Sequence, residues 1–552
     1  MIDKTSEAAM RRVQELLDLY GPPSASAAEL LCDRHDPAKV AYHVVAPDLS
    51  ARPMTYGELR RESERVAAGL AALGVGPGDR VATLMGKSRA YLVTLMAIWR
   101  LGAVHVPLFT AFAPPAIALR LTASGAVVVV CDAGQRGKVE PGEAIPEDAP
   151  SRVVTTGPLA GGDIAFEQLL QSEAPAPPAA AVGGDGPIIQ IFTSGTTGAP
   201  KGVIVPLRAV AGFQIYAEYG LGVGPGDRFW NAADPGWAYG LYFGVLASFS
   251  TGVESFLFEG GFSPEATFGL LERYQITNLT AAPTVYRSIR SANLDAPGGL
   301  ALRYASSAGE PLTPEVNEWA ASALGLQVHD HYGQTEAGML INNHQHPELR
   351  RLLKAGSMGH AMQGWTATVL KSDTDEPAAP GEVGRVAISL AESPLAWFRG
   401  YVNEPGKSAE KFSADGRWYL TGDIGRTDDQ GYFYFSSRDD DVIIMAGYRI
   451  GPVDVEAVIL AHPAVTECAV VATPDEVRGE VLEAVVVVAD GWAASEQLTK
   501  EIQTKVKKDF AAHAYPRRVH YVQALPKTPS GKIQRFLVRQ QLRDGSLNSK
   551  RD

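Results

Sequence analysis

The stretch Gln190-Ile-Phe-Thr-Ser-Gly-Thr-Thr-Gly-Ala-Pro-Lys-Gly202 constrains this chain more than any other. It grows out of an apolar run, Ile188 to Phe192, which reads as a buried strand. It then passes into small and hydroxyl residues that end in Lys201. Such a loop offers consecutive backbone N–H groups, hydroxyl donors and one mobile ammonium, and its glycines let the backbone approach a ligand closely. That inventory suits a polyphosphate. It is not a Walker A loop, which needs Gly directly before the Lys and Ser or Thr directly after it; here Pro200 and Gly202 flank Lys201. The plainer alternative, a flexible Gly/Thr surface loop, suits a few such residues better than an ordered run of this length.

A chain of 552 residues exceeds what one core usually supports, so two or more domains are expected. The net charge of −12 argues against a general nucleic-acid surface. A bound polyanion must then be held by locally placed Arg and Lys. Cys32, Cys131 and Cys468 match no metal or redox spacing and read as small core residues. With no disulfide framework, a cytoplasmic location is expected. Met1 to Tyr20 is mixed in charge and helix-like, without the apolar segment of a signal peptide. Aliphatic runs such as Ala126 to Val130 are of strand length, so no membrane span is expected.

Thr55 to Leu73 predicts an amphipathic helix: Thr55 and Glu58 have capping-box spacing, and Gly74 is placed to end it. A strand over Arg80 to Leu84 follows. The octapeptide Leu73-Gly-Val-Gly-Pro-Gly-Asp-Arg80 recurs unchanged at Leu221 to Arg228. It could be a glycine-rich ligand loop, but helix-stop, turn and strand-start explain it better, because Gly and Pro are the usual punctuation of turns. Its duplication points to two similar βαβ-type units. Further helices and strands alternate at Ala90 to Leu101, Ala103 to Pro107 and Ala126 to Cys131, and strands are expected at Ala301 to Ser307, Leu326 to His331 and Glu382 to Leu390. Residues 134–187, rich in Gly, Pro and Ala, read as surface excursions. Arg438-Asp-Asp-Asp441 cannot pack in a core and marks a solvated junction. Beyond it, helices at Pro452 to Ala461 and Ala494 to Phe510 and strands at Cys468 to Ala472, Glu483 to Ala489 and Arg518 to Val522 suffice for a small α+β domain.

Three short clusters follow predicted strands. Ser306-Ser-Ala-Gly-Glu-Pro311 is a tight turn able to present backbone polar groups to a flat base. Tyr332-Gly-Gln-Thr-Glu336 combines hydroxyl, amide and carboxylate, suited to phosphate and a hard cation such as Mg²⁺. Tyr419-Leu-Thr-Gly-Asp423 ends in a carboxylate, the usual partner of ribose hydroxyls. Each is weak alone; their order and spacing together are the signal. With Phe192 to Gly202, Arg438 to Asp441, Gly447-Tyr-Arg-Ile450 and Pro526-Lys-Thr-Pro-Ser-Gly-Lys-Ile533, they resemble the core motifs of the adenylate-forming superfamily of acyl- and aryl-CoA synthetases, adenylation domains and firefly luciferase, over about Pro53 to Leu542. Asp234-Pro-Gly-Trp237, Tyr332 to Glu336, Ala446 to Pro452, His462-Pro-Ala-Val465 and Val477-Arg-Gly-Glu-Val481 are most similar to medium-chain acyl-CoA synthetases.

The resemblance implies an α/β fold: a large N-terminal domain of layered βαβ-type subdomains (1–438), a hinge at 439–441 centred on Asp440, and a small mobile α+β C-terminal domain (442–552). It implies an ATP-dependent ligase that joins a carboxylic acid to AMP and then to coenzyme A. Thr193, Ser194, Gly195, Thr196, Thr197 and Lys201 would hold the β and γ phosphates. Gly309, Glu310, Pro311 and Tyr332 belong to the ATP site, and Thr335 to the α-phosphate. Glu336, with Thr196, would take Mg²⁺, while Asp423 and Arg438 hold the ribose. Lys532 would bridge the acid carboxylate and the α-phosphate, stabilising charge that grows in the transition state. Gly447 and Tyr448 would line the pantetheine tunnel, with Arg449, Arg478 and, more weakly, Lys507 as CoA contacts. His513-Ala-Tyr-Pro516 replaces a Lys-containing stretch usual in the medium-chain group, which bears on those CoA contacts. Trp237, Tyr239, Gly309 and Gly333 are candidates for the acid pocket. Acetate-specific relatives carry a tryptophan where Gly333 stands, so a medium-chain, branched or aromatic acid is expected here. A homo-oligomer is compatible with all of this. Two other functions stay open: loading of a carrier protein, and a nucleotide-binding scaffold without turnover.

Overall fold

The computed structural model describes residues 4–547 apart from 143, 147–151, 160, 194–199, 446–447, 476–478, 512–513 and 529–531. Three sheets organise these residues: one of thirteen strands, one of seven and one of five. The seven-stranded sheet is parallel through Arg80–Leu84, Val104–Pro107, Val128–Asp132 and Val153–Thr156. It closes with the antiparallel pair Pro187–Phe192 and Gly202–Pro206. The thirteen-stranded sheet is parallel from Val40–Val45 to Val328–Gln334 and antiparallel beyond. Covering helices bury nearly continuous apolar faces, as Arg89–Arg100 does with Leu92, Leu95, Met96 and Trp99.

Local chemistry sets the element boundaries. The Thr55 side chain accepts from the Glu58 N–H at 3.2 Å, and Glu58 accepts from the Thr55 N–H at 3.0 Å. This capping box starts the helix Tyr56–Ala72. Gly74, at φ +86°, turns the chain out of it. The repeated octapeptide makes the same turn twice. The Gly76 N–H donates to Asp79 at 2.8 Å, and the Gly224 N–H to Asp227 at 2.9 Å. Arg80 then opens a strand of the seven-stranded sheet, and Arg228 one of the thirteen-stranded sheet. The repeat is structural punctuation, used once in each layered unit.

Residues 134–187 depart from the expectation of surface excursions. Val153–Thr156 and Ile164–Ala165 extend the seven-stranded sheet, and the helix Phe166–Leu170 packs on it, with Val154, Thr155 and Phe166 buried. The surrounding Gly and Pro mask a short β-branched run whose pairing with Val128–Asp132 decides its conformation.

The five-stranded sheet has its own core of Ile443, Val455, Ile459, Val470, Ala484, Val486, Leu498 and Ile502. Its strands Val465–Asp475 and Gly479–Val488 run longer than the sequence suggests, and a further helix, Arg535–Asp544, follows. The helix Pro452–Leu460 lies against the strand Phe433–Arg438 of the large sheet. A Cβ on Gly451 would stand 2.6 Å from the Ser436 carbonyl oxygen, so only glycine permits that approach. The three cysteines are buried and unpaired. Among the described residues, no helix is long and apolar enough to cross a membrane.

Candidate active site

The antiparallel pair Pro187–Phe192 and Gly202–Pro206 presents the opening loop as a hairpin. Its base is fastened by the Thr193 N–H, which donates to the Lys201 carbonyl at 3.0 Å. Ser194, Gly195, Thr196 and Thr197 lie outside the described residues. Lys201 Nζ sits 4.8 Å from the ring centre of Tyr401, whose hydroxyl donates to Glu336 Oε1 at 2.6 Å. One aromatic ring thus links the loop lysine to the carboxylate expected to take Mg²⁺.

Asp423 is the hub of a second group. Strand register sets it opposite Arg438, whose Nε stands 3.1 Å from Asp423 Oδ1. Tyr332 donates its hydroxyl to Asp423 Oδ2. Gln334 Nε2 donates to the same oxygen at 2.6 Å and to the Thr421 carbonyl at 2.9 Å. Tyr419 in turn donates to Gln334 Oε1 at 2.7 Å. Burial, then the neighbouring Asp423 charge, pushes the Tyr332 phenol well above its ordinary pKa and keeps it a donor. Gln334, Tyr401 and Tyr419 join the site in addition to the residues expected from sequence. Gln334 and Tyr419 lie inside the clusters at 332–336 and 419–423, whereas nothing local marks Tyr401.

Gly309 takes φ +99° at the end of Tyr304–Ala308, a conformation suited to glycine. The Glu310 carboxylate is engaged by Thr284 at 3.0 Å and Arg287 at 2.6 Å, and Pro311 completes the turn. The Thr335 carbonyl accepts from Tyr242 at 3.0 Å. Lys532 reaches this turn from the C-terminal region: its Cε lies 4.0 Å from where a Cβ on Gly309 would stand. Lys532 keeps contact with solvent, yet the protein around it removes enough hydration to lower its pKa. Glu310, Asp423 and Glu336 oppose that shift, and Arg438 adds to it. Lys201, through the Tyr401 ring, and Lys532, through its electrostatic coupling, are therefore both tied to Glu336.

The expected acid-pocket residues divide. Tyr239 is partly buried, with its hydroxyl 3.3 Å from that of Tyr216, which bonds His331 Nδ1 at 2.8 Å. Trp237 packs on Phe109 and Phe112 at ring separations of 5.1 and 5.5 Å, and its indole N–H is buried without a partner among the described residues. Gly333 requires a correction. It sits at a bulge between Val328–Gln334 and Gly338–Asn342, where a Cβ would fall 2.2 Å from the Gly338 carbonyl oxygen and 2.8 Å from Met339. The backbone approach demands glycine there, and no open space awaits a plugging side chain.

Of the expected CoA contacts, Gly447 and Arg478 lie outside the described residues. Tyr448 and Arg449 belong to the strand Tyr448–Ile450, paired with Ile443–Met445. Lys507 Nζ stands 3.9 Å from the ring centre of Tyr515. No group of three or more His, Cys, Asp or Glu side chains among the described residues could hold a metal ion. Glu336 alone fits Mg²⁺ that arrives with a nucleotide, since this ion is commonly held by one or two carboxylates plus substrate phosphates.

The AMP-binding enzyme family matches residues 32–402, and the AMP-binding enzyme C-terminal domain matches residues 454–532. The chain is 35% identical to the mitochondrial acyl-coenzyme A synthetase ACSM4 of Homo sapiens, over 88% of this chain and 83% of that protein. The crystal structure of a Brucella canis acyl-CoA synthetase superposes with a TM-score of 0.75 at 40% identity, covering 98% of this chain and 99% of the other. That of a benzoate CoA ligase from Burkholderia xenovorans gives 0.82 at 29% identity, covering 93% and 100%. By sequence match, by fold and by these relatives, the chain belongs to the AMP-binding enzyme family, on its acyl-CoA synthetase branch.

Proposed function

We propose that this enzyme activates a medium-chain, branched or aromatic carboxylic acid in two steps. The acid oxygen attacks the α-phosphorus of ATP and pyrophosphate leaves; the CoA thiol then attacks the acyl carbon and AMP leaves. No covalent enzyme intermediate is needed, in keeping with three buried thiols that play no part. The protein's contribution is positioning and charge neutralisation. Lys201 and the hydroxyls of its loop hold the pyrophosphate end. Thr335 meets the α-phosphate, and Glu336 takes Mg²⁺, which draws charge from the phosphates. Asp423 and Arg438 hold the ribose, and Gly309, Glu310 and Pro311 frame the base. Lys532 stabilises the charge that develops between acid and α-phosphate.

The observation that carries this reading is the approach of Lys532 to Gly309, within electrostatic reach of Asp423 and Glu336. We further infer that the N-terminal domain (1–438) and the C-terminal domain (442–552) turn about 439–441 between the steps, bringing Gly447, Tyr448, Arg449 and Arg478 to CoA, and that the enzyme works in the cytoplasm. The aromatic surroundings of Tyr239 and Trp237 support an apolar acid. The test is AMP release from ATP across a panel of acids, with and without CoA. CoA-dependent turnover highest on acids larger than acetate is expected. Release only with a carrier protein would replace the CoA reading with carrier loading, and none with any acid would refute both.

A further inference from the structure

One cation in the cleft has no role in the two-step reaction described above. Lys411 follows the short helix Pro405–Ala409. Its carbonyl accepts from the Leu420 N–H at 2.8 Å, and Phe412 bridges to Tyr419, so this segment runs beside the strand Trp418–Thr427. The side chain is thereby laid over Thr421, Gly422 and Asp423 of that strand. Its Nζ donates to the Thr421 carbonyl at 2.7 Å and lies 5.7 Å from the Tyr419 ring centre. A Cβ on Gly422 would come within 3.3 Å of that ammonium, and Gly422 takes φ +77°. The ammonium therefore sits directly against this glycine.

Among the described residues no carboxylate lies within ion-pairing distance of Lys411. Asp423 pairs with Arg438, and Glu336 takes the Tyr401 hydroxyl. Yet Lys411 is only partly exposed, and burial lowers its pKa; Glu336 and Asp423 resist that shift, while Arg438 and Lys201 reinforce it. The charges of Asp423, on the proposed ribose side, and of Glu336 and Lys201, on the proposed pyrophosphate side, all act on it. A desolvated ammonium held by one carbonyl and no counter-charge is costly by itself. An anion arriving between those two sides would relieve the cost, and Lys has three donors, of which the Thr421 carbonyl uses one.

We propose that Lys411 is a second ammonium contact for the β- and γ-phosphates of ATP, beside Lys201, and holds the departing pyrophosphate. The inference rests on the ligase reading above. A competing role is purely local: Lys411 could brace the strand at Thr421–Asp423 and so act on the ribose. The two roles differ in which ligand they touch, since AMP has the ribose and lacks the β- and γ-phosphates.

The experiment is calorimetric titration of the full chain with magnesium ATP, magnesium pyrophosphate and AMP, for the wild type, Lys411→Met and Lys411→Arg. Loss of one charge-assisted contact should weaken ATP and pyrophosphate about 10-fold or more in Lys411→Met and leave AMP within about twofold. Lys411→Arg should recover most of the loss. The deciding quantity is the ratio of ATP to AMP affinity, which a folding defect common to all ligands leaves unchanged. Equal weakening of ATP and AMP would overturn the proposal in favour of the bracing role, and unchanged ATP and pyrophosphate binding would overturn it outright. A wild type that binds none of the three would refute the ligase reading and this proposal with it.

Discussion

Gly333→Ala separates two accounts of the same glycine. If Gly333 simply leaves room for the acid, a methyl group there should trim the pocket and spare everything else. The structure gives a different expectation. A Cβ at 333 would lie 2.2 Å from the Gly338 carbonyl oxygen, and since real Cβ atoms keep about 3.0 Å, the two strands must part by about 0.8 Å. Overpacking of this kind costs about 1–3 kcal/mol. The displaced strand carries Tyr332 and Gln334, which bond Asp423, and leads directly to Glu336. A shift near 1 Å in positioning groups lowers turnover by about 100-fold. Gly333→Ala should therefore lower the melting temperature and depress AMP release with every acid, the smallest included. Thermal unfolding by circular dichroism and the acid panel read both effects. A variant of wild-type stability that loses only the larger acids would refute the backbone argument and restore the plug.

Lys532→Ala should slow adenylate formation by about 100- to 1,000-fold, the scale for removing one preorganised contact to developing charge, while thioester formation from a supplied acyl-adenylate is largely kept; equal loss in both half-reactions contradicts a lysine that serves the first step alone. Asp454 lies in the first turn of Pro452–Leu460, where burial pushes its pKa up from 3.8 to about 7, with Arg426 and Ser436 opposing. Between those values the folded chain holds a proton that the unfolded chain has released, so this group's contribution is complete below about pH 4 and is lost as pH rises towards 7. Asp454→Asn should flatten the fall of Tm over that window and raise Tm at pH 8; an unaltered slope would place the buried carboxyl elsewhere.

What the sequence makes legible follows from where information is local. Thr55 with Glu58, and the glycines of the repeated octapeptide, announce caps and turns because each acts on its own neighbours. The clusters at 306–311, 332–336 and 419–423 announce a site because each gathers several polar groups on or beside one strand. Tyr401 and Lys411 carry no such mark. Each joins the site only through a tertiary contact that no local pattern announces, Tyr401 on Glu336 and Lys411 over Thr421. Gly333 misleads for a related reason: a missing side chain can leave a cavity or admit a neighbouring backbone, and only the register of Val328–Gln334 against Gly338–Asn342 tells them apart. The helix Arg535–Asp544 follows Lys532 closely and buries only Val538 fully.

That last helix has a mechanical meaning. Arg539 holds Asp441 at 3.1 Å and Arg535 approaches the same carboxylate at 3.7 Å, while Arg535 also clasps Glu456 at 2.6 Å. The segment where the chain leaves the large sheet is thus strapped to the helix that begins three residues after Lys532. The proposed hinge and the region of Lys532 are joined by side chains as well as by backbone. In the proposed turn about 439–441, this strap would carry Lys532 with the hinge without slack, and cutting it would loosen the two from each other.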